Sequence, residues 1–200
     1  NTKVEKQPLL PTENNVLKTF SIENEPVVEL VNNREREYIF ADLPDIGYST
    51  DIDTVMASSY QVKKQLQQIV RIEQPITNTL LYKRILRIWN LTRVTTRLQV
   101  FIDSLLEDAY KDPLSGDTII YWENKEKAKD CDFYRINSKR DILDIPILEV
   151  MSAARYAIEQ QISMPIKDLK RLTSQLLGFS RKGNNLDMVT EQTIQLLINK

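Results

Sequence analysis

The sequence predicts a mainly helical fold with a small β wing. The expected arrangement is two tandem winged-helix-like (helix-turn-helix) units preceded by an extended leader. Three observations predict it. Apolar residues recur at three- and four-residue spacing through most of 54–200. A β-branched and aromatic run, Thr118, Ile119, Ile120, Tyr121 and Trp122, follows three such helical segments. The order of breaks and helices over 59–110 then recurs over 146–198.

The leader, 1–52, is punctuated by Pro8, Pro11, Pro26 and Pro44. Its β-prone runs 27–31 and 38–40 suit a short hairpin or edge strands. Ser59 is placed to cap a helix over 60–71, with Asp53 as an earlier start. Pro75 breaks the chain. A second helix over 77–89 carries Leu80, Leu81, Ile85, Ile88 and Trp89 on one side, with Lys83, Arg84 and Arg87 on the other. After a turn at Asn90, a third helix over 94–110 has the stripe Leu98, Phe101, Ile102, Leu105, Leu106 and Ala109. Strands over 118–122 and 133–136, joined by a polar loop, complete a two-stranded wing. Helices followed by a hairpin is the order of a winged helix.

The second unit opens with Pro146 in the first turn of a helix that runs to 160. Pro165 and Ile166 repeat Pro75 and Ile76 at an offset of 90. Phe179, Ser180 and Arg181 repeat Leu91, Thr92 and Arg93 at an offset of 88. Gly178 ends the intervening helix, and a last helix covers 184–198 with no wing after it. The predicted divisions are therefore 1–52, an acidic extended leader; 53–138, the first unit; and 139–200, a second helix-turn-helix unit with an incomplete wing.

Charge is divided along the same lines. The chain has 200 residues, with 27 Lys+Arg and 28 Asp+Glu. Residues 1–53 hold five cations and eleven acids; 54–200 hold the other 22 and 17, a modestly basic body. Composition excludes several chemistries. There is no histidine, which removes the commonest general base and most zinc and haem sites. The single cysteine, Cys131, forms no disulfide within the chain and has no histidine partner. The four glycines never form a phosphate loop. Pro44-Asp45 and Glu123-Asn124-Lys125 match nuclease letters, but they are far apart, in the leader and at the wing. Asp51 and Asp53 read as helix-start acids. No enzyme, cofactor, metal or small-molecule ligand is expected, and the apolar runs are too short to span a bilayer. The chain begins with Asn1 and no signal segment follows. That suggests a cytoplasmic module of a longer or processed protein.

Two stretches carry a resemblance. One holds Glu73-Gln74-Pro75-Ile76, Leu81, Arg84-Ile85, Trp89-Asn90-Leu91-Thr92-Arg93 and Arg97. The other holds Met164-Pro165-Ile166, Leu169 and Leu176-Leu177-Gly178-Phe179-Ser180-Arg181. Together they resemble the uncharacterised C-terminal domain of large bacterial superfamily 1 helicase-related proteins that also carry a very-short-patch-repair-like endonuclease domain. That pattern has an acidic-x-Pro-Ile start, a Trp-Gly-apolar-x-Arg turn and a second copy with Leu-Gly-Phe-x-Arg. Here Asn90 stands at the first glycine. The resemblance spans 54–200. It implies a DNA-processing context, with helicase and nuclease domains of the same polypeptide as partners.

In a helix-turn-helix the third helix meets DNA at its N-terminal end. There the first unit offers Arg93, Thr95, Thr96, Arg97 and Gln99, and the second offers Arg181, Lys182, Asn184 and Asn185. The wing loop adds Lys125, Lys127 and Lys129. Arg and Lys suit phosphate, Thr phosphate, and Gln an adenine edge. Against this, Asp103, Glu107 and Asp108 share the third helix, and exposed cations are commonly just solvated. Trp89 and Trp122 read as core. The reading is a non-catalytic accessory module of a bacterial DNA helicase/nuclease-type protein, contacting DNA backbone or positioning catalytic domains. The alternatives are a docking scaffold without DNA contact and a winged-helix transcriptional regulator.

Overall fold

Side-chain caps define several of the helix starts. The computed structural model describes residues 32–47, 51–113, 118–136, 139–160 and 164–198, and Asn32–Lys200 form one compact unit. Asp51 accepts from the Thr54 N–H and opens α1 (Ile52–Ala57), which runs almost directly into α2 (Ser59–Glu73). Thr77 accepts from the Leu80 N–H and opens α3 (Asn78–Ile88); Thr95 accepts from the Leu98 N–H and opens α4 (Thr96–Leu105). Beyond a short α5 (Lys125–Lys129), a 3₁₀ turn (Ile142–Asp144) leads into α6 (Ile147–Glu159), α7 (Ile166–Leu176) and α8 (Asn184–Ile198). Among the described residues, no helix is long and apolar enough to cross a membrane.

The three-helix unit repeats with one register. Helices α2, α3 and α4 start at 59, 78 and 96; α6, α7 and α8 start at 147, 166 and 184, each 88 residues later. The offset of 90 suggested by the two Pro-Ile pairs is not the structural one, because Thr77 and Pro165 are the equivalent helix caps. Buried positions obey the same offset: Val62 and Val150, Leu81 and Leu169, Trp89 and Leu177, Leu98 and Leu186. So do the helix ends. Leu91 N–H donates to Leu86 C=O at 2.9 Å and Asn90 N–H to Arg87 C=O at 3.2 Å. Phe179 N–H donates to Ser174 C=O and Gly178 N–H to Gln175 C=O, both at 2.9 Å. Each is a Schellman motif, whose C′ residue must be left-handed. Gly178 has φ 87° and Asn90 φ 47°. Asn tolerates that region, which accounts for its presence where a glycine is expected. Asn90→Gly should therefore leave stability unchanged or raise it. Asn90→Val should cost about 1–2 kcal/mol in urea unfolding.

The wing differs from expectation. β4 (Ile120–Trp122) is the centre of a three-stranded antiparallel sheet, between β2 (Ile76–Thr77) and β3 (Tyr110–Lys111). The expected hairpin partner, β5 (Tyr134–Ile136), pairs instead in parallel with β1 (Glu35–Glu37) of the leader. Lys125, Lys127 and Lys129 consequently lie on α5, beyond the sheet, and not at the tip of a hairpin. The third helix is also shorter than its apolar stripe predicts, because Tyr110 and Lys111 are recruited as the β3 edge opposite Trp122 and Tyr121. The expected strand at 27–31 lies outside the described residues.

Leu66, Ile69, Leu81, Ile85, Leu98 and Ile102 form the apolar centre of the first unit; Tyr134, Val150, Ala153 and Leu186 belong to that of the second. Between them lies a buried ionic network. Glu149, fully buried, accepts from the Arg135 N–H at 3.0 Å and from both terminal nitrogens of Arg140 at 2.8 Å; Arg135 also pairs with it. Arg135 reaches back to the carbonyls of Glu73 at 2.7 Å and Pro75 at 2.6 Å, at the end of α2. Glu73 in turn accepts from the Tyr38 hydroxyl at 2.6 Å and the Ala41 N–H at 3.0 Å, and pairs with Arg84 at 2.9 Å. Burial, followed by the Glu73 charge, pushes the Tyr38 hydroxyl far above the usual phenol range.

Burial opposes ionisation of Glu149, but Arg135 and Arg140 outweigh it and hold its carboxyl down to about 2, from an ordinary 4.5. A carboxyl held low in the folded state stabilises it above the unfolded value and loses that contribution as pH falls. Stability should therefore drop between about pH 4.5 and pH 2, and Glu149→Gln should remove about 3–5 kcal/mol at neutral pH by leaving two arginines uncompensated. Urea melts of both proteins across pH check this.

Candidate nucleic-acid interface

The two equivalent surfaces before the third helices are built differently. In the first unit, Arg93 is exposed in the α3–α4 turn, and Thr96 is the exposed first residue of α4. The Thr95 hydroxyl is engaged as the α4 cap, with the Leu98 N–H donating to it at 3.2 Å. Arg97 is paired with Asp53 of α1 at 2.7 Å, and Gln99 is half-buried. Farther along the same face, Met56, Val100 and Phe101 line an apolar recess with Thr96, Arg97 and Ser104. Val100 is 64% exposed, a poor feature for reading polar base edges. Asp103 does not face outward freely. It accepts from the Tyr82 hydroxyl at 2.8 Å and the Tyr121 hydroxyl at 3.2 Å. Desolvation and that bond push Tyr82 up to about 12.

In the second unit, Arg181 and Lys182 of the α7–α8 turn and Asn184 and Asn185 at the start of α8 are all exposed. They line one open groove of about 730 Å³. Its opposite wall is the segment before the 3₁₀ turn, with Lys139, Arg140 and Asp141. Arg140 is held inward by Glu149, and Asp141 accepts from the Leu143 N–H at 3.1 Å. Lys139 is exposed and left-handed, φ 49°. Its place in the groove is not legible from the sequence, because it lies outside the turns before the third helices. Aligning the two units at the 88-residue offset is the signal that exposes it, opposite Asp51. Lys125, Lys127 and Lys129 lie apart on α5, exposed and interleaved with Glu126 and next to Asp130.

Other candidate chemistries find no support in the geometry. Asp45 accepts from the Gly47 N–H at 3.0 Å, an ordinary Asx turn. Among the described residues, no three His, Cys, Asp or Glu side chains converge to hold a metal. Trp89 and Trp122 are buried, with ring N–H groups donating to Gln65 and Asp112. Burial, then the nearby Glu149 charge, pushes the Cys131 thiol up to about 12. Alkylation of Cys131 at pH 8 should accordingly be about 10³-fold slower in the native protein than in urea-unfolded chain, the ratio of thiolate fractions.

The model of a family described as a protein of unknown function (DUF3320) matches residues 57–100. The match runs from the last residue of α1 through α2, β2 and α3 into the first half of α4, without β3 and β4. No curated protein and no solved structure matches the chain.

Proposed function

We propose that the chain is a non-catalytic accessory module that contacts nucleic acid, as two tandem winged-helix-like units within a bacterial helicase- or nuclease-type protein. The observation that carries this reading is the repeated helix-turn-helix. Helix starts, Schellman ends and buried positions recur at one offset, with exposed cations in the turn before each third helix. The order α2, β2, α3, α4, β3, β4, with β4 central in the sheet, supports the winged-helix-like part of this reading. The family match over 57–100, to a domain of unknown function, suits an uncharacterised accessory module. A cytoplasmic setting, with DNA and the catalytic domains of the same polypeptide as partners, belongs to the same proposal.

Backbone phosphates are the chemistry such cations suit, because binding there releases condensed counterions and falls steeply with salt. Labelled duplex and single-stranded DNA, followed by fluorescence anisotropy over a salt series, tests the reading. Three neutralised phosphates give a log–log slope of about −3, with Kd in the micromolar range at low salt. No binding at 50 mM salt would overturn it. The recess at Met56, Val100 and Phe101 favours a second reading, a docking surface for a protein partner.

A further inference from the structure

We infer that the two units are functionally unequal: the groove of the second unit holds the nucleic-acid backbone, with Lys139 as a contact residue beside Arg181 and Lys182, while Asp53 neutralises the corresponding surface of the first. This rests on the nucleic-acid reading above and assigns it to one surface.

The charge geometry differs at equivalent positions. At the 88-residue offset, Asp51 and Asp53 stand where the second unit has Lys139 and Asp141. In the first unit, Arg97 is already bonded to Asp53 at 2.7 Å. A phosphate arriving there would have to displace a carboxylate from Arg97. Around the second groove, Lys139, Arg181 and Lys182 face the single carboxylate of Asp141. None of these three cations is in an ion pair among the described residues. The neighbouring acid Asp187 is paired with Lys170 at 2.7 Å, a lysine that also holds Glu191 at 2.8 Å.

The groove is also supported from behind. Arg140, next to Lys139, is pinned by two 2.8 Å bonds to buried Glu149. That anchor sets the chain carrying Lys139 opposite the α7–α8 turn. Cations from two separate segments thus converge on one open concavity, the arrangement that follows a phosphodiester backbone. Phe179 lines the same groove and gives it an apolar floor.

The test is anisotropy with a labelled duplex at 50 mM salt and across a salt series, using the full chain and three variants. Lys139→Ala/Arg181→Ala/Lys182→Ala should weaken binding at least about tenfold and flatten the log–log slope by about 2–3. Arg93→Ala/Arg97→Ala should change affinity less than about threefold, and Asp53→Asn should strengthen it about two- to fivefold by freeing Arg97. All of the altered side chains are exposed or half-exposed, and a thermal melt by circular dichroism checks that each variant is folded. If the wild type binds and the triple variant binds equally well, or the Arg93/Arg97 variant loses more, the assignment to the second groove is overturned while the nucleic-acid reading stands. If the wild type does not bind, the reading falls, and this inference with it.

Discussion

The contact between Arg135 and Glu149 is the constraint around which the two units are organised. Arg135 sits on β5, and its guanidinium spans from the last carbonyls of α2 to the carboxylate at the start of α6. Desolvating three charges is costly, and their mutual bonds offset it, although the buried Nε of Arg135 has no hydrogen-bond partner. Here the backbone supplies partners as well as the side chains. The free carbonyls at the end of α2, which need donors in any helix, receive them from Arg135. The same network draws in the leader, because Glu73 bonds to Tyr38 and Ala41. It also explains why β5 is not the wing partner of β4. Tethered to α2 and α6 by Arg135, β5 offers its edge to β1, where Arg34 reinforces the pairing through Asp132 and Glu159.

The asymmetry between the units follows from what precedes each first helix. In the first, a complete short helix, α1, is capped by Asp51 and lays Asp53 against Arg97. In the second, the equivalent segment is compressed to a 3₁₀ turn, and its arginine is turned inward to Glu149. The first unit therefore shows an arginine already paired with Asp53, and an apolar recess. The second leaves its cations to solvent along a groove. One copy leaves its cations to solvent and the other pairs an arginine with its own chain, which fits the proposed reading in which nucleic acid is held by the second unit.

The helices were legible in the sequence for local reasons. Their stripes have helical period, and Thr77, Thr95 and Gly178 signal starts and stops within a few residues. The α8 boundaries 184–198 follow from such signals alone. The sheet was not legible, because two of its three strands are two residues long and owe their conformation to the partner across the ladder. The 118–122 run announced a strand but carried no information about which strand it would meet. The candidate site was half legible. Arg181, Lys182, Asn184 and Asn185 lie together as the helix-turn-helix pattern requires, whereas Lys139 and the Asp53–Arg97 pair depend on segments distant in sequence. Asp53 reads locally as a helix-start acid, which it is; its effect on Arg97 exists only in three dimensions.

The most direct test of the central claim is an ¹H–¹⁵N correlation spectrum of the labelled chain during titration with a short DNA duplex. The account predicts shift changes concentrated at the amides of 139–142 and 179–186, with those of 93–97 little affected. Changes centred on 93–104, or none at saturating DNA, would contradict it.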